Sequence, residues 1–212
     1  MLNIANLKAG YDGKAIVEIP ALSLAPNEHC LILGKSGSGK TTLLYALAGL
    51  LKPLSGEITL ADTAITSLDN KTLDAFRGKH IGIIYQTLHM VSALSVLDNL
   101  LLAQYAAGTT QDKAKAEVLL AQLGLADHAH KKPTALSQGQ QQRVAIARAA
   151  INSPQLILGD EPTSALDDDS CDAVMKLLLD TANASGASLV IATHDARIKK
   201  YFTKTLILGG IQ

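Results

Sequence analysis

The chain has 212 residues, of which 48% are hydrophobic and 3% aromatic, with 19 basic and 19 acidic side chains. That length suits one large α/β domain with a helical insertion and a substantial core. The charge balance leaves no basic field for nucleic acid, and the Leu43 to Leu51 stretch falls far short of the roughly 20 apolar residues that cross a bilayer.

Residues 1–8 alternate like a strand and lack the blocks of a secretion signal, so a cytoplasmic protein is expected. Cys30 and Cys171 read as free thiols rather than a disulfide. Leu2 to Lys8, a turn at Gly10-Tyr11-Asp12-Gly13, and Ala15 to Ile19 read as a hairpin with an Asp-Gly signal. Tyr11 either stacks on a purine face or packs on the sheet, because aromatic rings do both.

Cys30 to Leu33 is a short apolar run suited to a buried strand, and Leu43, Leu47, Leu50 and Leu51 repeat at helical spacing. Between them lies Gly34-Lys35-Ser36-Gly37-Ser38-Gly39-Lys40-Thr41-Thr42, a full match to the glycine-rich loop that wraps nucleotide phosphates. Its glycines let backbone N–H groups converge on an anion, and the helix start adds partial positive charge. Lys40 is placed to bridge the β- and γ-phosphates, and Thr41 to ligate Mg²⁺.

Pro53 and Gly56 then mark a break before a strand, Glu57 to Leu60, of the same antiparallel unit. Ile81 to Tyr85 reads as a buried strand ending at Gln86, which is either near a ligand or a solvent-facing loop residue. Leu88, Met90, Val91, Leu94 and Val96 form either a surface for another chain or internal packing. From about Ser95 to Leu125 the sequence turns helical, with Ala116, Leu119, Leu120 and Leu123 as an apolar stripe beside charged Asp112, Lys113, Lys115 and Glu117.

Ser137 caps the helix that runs through Ala150, and this helix start makes a second anion-directed terminus. Leu156 to Glu161 is an apolar strand ending in two acids whose side chains point in different directions. Asp160 suits a strand-end aspartate that holds Mg²⁺ through water, and Glu161 a base or orienter of water. Asp168 and Asp169 read as helix-capping acids before a helix toward Ala184. Ser188 to Ala192 is a further core strand with His194 at its end, and Thr205 to Leu208 closes the sheet. The remaining histidines lack metal spacing.

Taken together, Tyr11, the phosphate loop, Gln86, the Leu136-Ser137-Gln138-Gly139-Gln140 signature, Asp160-Glu161, Ser164-Ala165-Leu166-Asp167 and His194 stand in an order that resembles the nucleotide-binding subunit of an ABC transporter. The resemblance spans nearly the whole chain. It implies a P-loop core with a mainly parallel sheet, an N-terminal antiparallel β unit and a helical subdomain inserted at about 87–150, all within one ATPase domain over 1–212. It further implies two copies paired head to tail around two ATP molecules with Mg²⁺. In that pairing Ser137, Gly139 and Gln140 approach the γ-phosphate held by the opposite Lys40. Tyr11 stacks on adenine, Gln86 senses Mg²⁺ and water, His194 holds the γ-phosphate, and Glu161 polarises the water.

The resemblance also implies a separate integral membrane permease docking near Leu88 to Leu94, with the ATPase peripheral on the inner face of the membrane and not inserted in it. The segment Gln86 to Leu100 is similar to that of lipoprotein-release and macrolide-efflux ATPases. Two residues depart from the family pattern: Gln138 replaces a glycine, and Gly159 stands where a larger residue is frequent, a change that bears on packing rather than chemistry; neither touches a proposed catalytic atom. Lys40 and Ser137 are too close in sequence for the coiled coil of chromosome-organising relatives. Short soluble ATPases of iron–sulfur assembly or division-site signalling remain the alternative reading.

Overall fold

The structure is a computed structural model and describes residues 1–164 and 166–209. The chain opens with a hairpin of β1 (Leu2–Tyr11) and β2 (Lys14–Leu24), turned by Asp12 and Gly13, both at positive φ (51° and 75°). Two consecutive positive φ values define the tight hairpin turn that Asp-Gly favours. β3 (Cys30–Gly34) leads through the phosphate loop into α1 (Lys40–Leu47), and β4 (Ser55–Leu60) and β5 (Thr63–Ala64) complete an antiparallel sheet of order β2-β1-β4-β5.

α2 (Asn70–His80) follows, capped by Asp69, whose side chain accepts from the Thr72 N–H. This helix is hard to read from sequence, because it buries no residue fully and only Leu73 and Phe76 pack on the core. β6 (Ile81–Ile84) enters the second sheet. Next come α3 (Val96–Ala106), α4 (Lys113–Gln122) and α5 (Gln138–Ala150), then β7 (Leu156–Asp160), α6 (Asp168–Ser185), β8 (Ser188–Thr193) and β9 (Lys204–Leu208). The second sheet has the order β6-β7-β8-β3-β9 and is parallel in all four pairings.

Alternation along these central strands builds two cores, one on each face of the parallel sheet. Ile32, Leu158 and Val190 face α1, which is clamped against the antiparallel sheet by Leu43, Leu44 and Leu47. Their neighbours Leu31, Ile157, Leu189 and Ile191 face α5 and α6. A third core joins Val96, Leu97 and Leu100 of α3 to Ala116 and Leu120 of α4 and to Val144 and Ala147 of α5. α5 is therefore apolar on two sides, with Ala145, Ile146 and Ala149 on the sheet and Val144, Ala147 and Ile151 on the helical arm.

Several expectations change at this point. α1 ends at Leu47, and Gly49 at φ 64° turns the chain, so Leu50 and Leu51 lie beyond the helix. The helical stretch is two helices, broken where Gly108 takes φ 66°. Val96 is fully buried and Leu88 and Met90 pack on cores, whereas Val91 is exposed, so the apolar connection divides between packing and surface. Asp167, not Asp168 or Asp169, caps α6 through the Ser170 N–H; Asp168 instead pairs with Arg197. Gly159 leaves no hole, because Ile191 Cδ1 lies 2.5 Å from where a Cβ would stand. Within Ser164-Ala165-Leu166-Asp167, Ala165 lies outside the described residues.

Candidate nucleotide site

β3 ends at Gly34, whose missing Cβ makes room for Ser38 Oγ and the Leu208 carbonyl. Gly37 and Gly39 sit at φ 78° and 91°, in the left-handed region that side chains disfavour. Gly39 is the N-cap of α1 and offers no side-chain acceptor, so the first N–H groups of α1 lack a side-chain cap and stay available to an anion. Lys40 follows, with a side chain only 7% exposed. Its Nζ donates to the Gly34 and Lys35 carbonyls at 2.9 and 3.1 Å and stands 3.4 Å from Glu161 Oε1. A buried ammonium held by carbonyls and one carboxylate is ready to exchange them for phosphate oxygens.

The loop floors a pocket of about 450 Å³ whose walls include Ile16, Thr41, Thr42, Gln86, Glu161 and His194. Parallel pairing sets β7 beside β8, so Asp160, Glu161 and His194 reach one sheet edge. Asp160 and Glu161 point apart, as alternation requires. Thr41 Oγ1 donates to Asp160 Oδ2 at 2.9 Å, while Asp160 Oδ1 is buried with no partner among the described residues. Burial raises the Asp160 pKa above the ordinary aspartate value, and the Glu161 charge adds to that, against the Thr41 bond. A buried carboxylate oxygen without a donor, beside a hydroxyl, is a hard-oxygen pair that fits Mg²⁺.

Glu161 sits at φ 50°, with its N–H donated to the Ala192 carbonyl at 2.8 Å. Its side chain accepts from Thr193 Oγ1 at 2.6 Å, from the His194 N–H at 3.1 Å and from His194 Nδ1 at 2.9 Å. Burial pushes its pKa up, but the bonds from His194 and Thr193 and the charges of His194 and Lys40 outweigh that and leave it lowered. Glu161 is thus a firmly ionised carboxylate. Thr193 was missed in the sequence, although its place before His194 on a buried strand was visible.

Tyr11 ends β1 at the hairpin tip, 46% exposed, and is not among the residues that line the pocket. Gln86 is exposed and reaches the pocket wall. The signature residues do not line the pocket. Ser137 caps α5 by accepting from the Gln140 N–H at 3.3 Å, and Gln140 Oε1 accepts the Ser137 N–H at 2.9 Å. Gln140 Nε2 contacts His128 Nε2 at 2.7 Å. Gly139 is open, with nothing near its missing Cβ. One chain therefore assembles Lys40, Thr41, Gln86, Asp160, Glu161 and His194, and holds Ser137, Gly139 and Gln140 elsewhere.

The family model described as ABC transporter matches residues 18–164, which includes the phosphate loop, the signature and both strand-end acids. The chain belongs to the ABC transporter family. It is an ATP-binding, ATP-hydrolysing subunit of that family. It is 38% identical to an uncharacterized ABC transporter ATP-binding protein of Mycobacterium tuberculosis, over 96% of this chain and 83% of that one. It is 44% identical to the lipoprotein-releasing system ATP-binding protein LolD of Maricaulis maris, over 82% of this chain and 77% of LolD. The macrolide export ATP-binding/permease protein MacB of Chromobacterium violaceum is also 44% identical, over 90% of this chain but 30% of MacB. Among solved structures, a dimeric ATP-binding cassette in a post-hydrolysis state with ADP and Pi superposes with a TM-score of 0.84, at 32% identity over 98% of this chain and 94% of that one. No helix of the described residues is long and apolar enough to cross a membrane.

Proposed function

We propose that this ABC ATPase works as one of two copies paired head to tail around two ATP molecules, driving a separate integral membrane permease from the cytoplasmic face. The observation that carries this reading is the division of labour within one chain. The phosphate loop, Glu161 and His194 line the pocket, while Ser137 and Gly139, at the start of α5, are not part of its lining. The dimeric cassette with ADP and Pi supports the pairing, and the relatives that release lipoproteins or export macrolides support a transport task in the cell envelope.

In the mechanism proposed, Lys40 leaves the Gly34 and Lys35 carbonyls for the β- and γ-phosphates. The N–H groups of Gly37 to Thr41 take the remaining phosphate charge. Thr41 and Asp160 would hold Mg²⁺, which would neutralise phosphate charge. Gln86, on the pocket wall, senses the ion and the attacking water, and Tyr11 stacks on the adenine.

Glu161 loses two donors when Lys40 and His194 turn to the γ-phosphate, and its freed oxygen accepts from the attacking water. In that arrangement Glu161, still held by Thr193, orients and polarises the attacking water. The partner's signature, with Ser137, Gly139 and Gln140, closes the site. The helices at about 87–150 form the arm that carries that signature, and the permease docks near Leu88 to Leu94.

Replacing the carboxylate by an amide tests the assignment. Glu161→Gln is expected to keep ATP affinity and lower kcat about 10²–10⁴-fold, measured by phosphate release. Hydrolysis near the parent rate would overturn the role given to Glu161.

A further inference from the structure

A half-buried guanidinium commonly answers a carboxylate, but Arg148 near the end of α5 makes no ion pair among the described residues. Its two terminal nitrogens donate instead to the Leu88 and His89 carbonyls, each at 2.7 Å. Partial burial lowers its pKa. Neighbouring carbonyls converge on one donor group here because His89 adopts φ 44°, in the left-handed region. The His89 ring meets Tyr85 edge-on at 5.3 Å, and Leu88 packs on the sheet core. The segment just after Gln86 is therefore gripped from α5.

α5 is itself held without slack against the strand that ends at this segment. A Cβ on Gly82 of β6 would collide with the Ala149 carbonyl, next to Arg148. The same helix begins at Ser137, and a helix of its 13 residues spans roughly 20 Å at about 1.5 Å per residue. We infer that Arg148 is a positioning residue that ties the Gln86 segment to the signature helix, so that the pocket a chain holds and the pocket it completes change state together. The inference rests on the reading of Ser137 as closing the partner's site. A planar, two-pronged guanidinium can hold both carbonyls, and a lysine ammonium can hold one.

The test compares Arg148→Lys and Arg148→Met with Gln86→Ala, singly and combined, while the parent's ATP-driven pairing is measured alongside. For Arg148→Lys we expect kcat to fall roughly three- to thirtyfold with KM within about twofold, and amide exchange at residues 87–91 to rise. Gln86→Ala should then cost much less in the Arg148→Lys background than in the parent, because its segment is already loose. A purely structural role would lower the melting temperature and leave the two losses independent, so losses that multiply would overturn the inference. Should Arg148→Met fail to fold, the lysine variant, which keeps the charge, carries the comparison. A parent that binds ATP but never pairs would sink the proposed function and this inference with it. A parent that pairs, with Arg148→Lys kinetically silent, would sink this inference alone.

Discussion

α1 and α5 both begin with polar, glycine-containing turns, yet their first turns are finished differently. α1 starts at Gly39, without a side-chain cap, inside a pocket with Lys40, Thr41 and Glu161 around it. α5 starts at Ser137 and is closed on itself by a capping box with Gln140. The first terminus is an open anion site supplied with its own cation; the second has the Gln140 N–H taken by the Ser137 hydroxyl and no lysine in its first turn. A helix start that already caps itself loses little when it waits without a ligand. In the proposed pairing, this difference lets one chain keep a nucleotide site ready while the signature waits, capped, for a partner's phosphate.

The comparison can be broken most severely at the open site. Asp160→Asn should lower Mg²⁺-dependent hydrolysis by roughly 10²-fold or more, because the orphaned anionic oxygen is lost. The same change should leave the melting temperature unchanged or higher. The reason is one of sign: the Asp160 pKa is raised on folding, so its ionised form costs stability at neutral pH and that cost is relieved only in acid. Both quantities can be read from one preparation, and a stability loss with full activity would contradict the assignment.

Lys40→Ala comes next, with ATP affinity expected to fall about ten- to hundredfold by titration, since a charge-assisted bond to phosphate is removed. At the closed terminus the effect on folding is smaller. Ser137→Ala should cost about 1 kcal/mol in denaturant unfolding through the lost cap, with Ser137→Thr recovering most of it. The smallest effect is on acid stability. Glu161 has a lowered pKa, so its favourable contribution is present above the ordinary glutamate range and is lost as pH falls through its folded value. Glu161→Gln should therefore flatten the acid limb of the stability curve, whereas Asp160→Asn should steepen it.

How much of this was legible in the sequence follows from how local each signal is. The phosphate loop and the Ser137 cap are set within a few residues, by glycines that need positive φ and by a hydroxyl three residues from its N–H. The strand-end acids were legible because alternation sends adjacent side chains apart, and the structure puts Asp160 on Thr41 and Glu161 on His194. α2 was not, because only Leu73 and Phe76 tie it to the core, alongside the Asp69 cap and tertiary bonds such as Arg77 to the Gly49 carbonyl. Arg148 reads in the sequence as one charge in an Ala-rich helix. Its partners lie about 60 positions away, and backbone carbonyls leave no trace in a residue code.

Sedimentation of two variants with ATP and Mg²⁺ tests the shared pocket most directly. Glu161→Gln should shift from monomer to dimer with two ATP per dimer, whereas Glu161→Gln combined with Ser137→Arg should bind ATP and remain monomeric. A doubly substituted chain that dimerises as readily as the single variant would show that the signature does not close the partner's site.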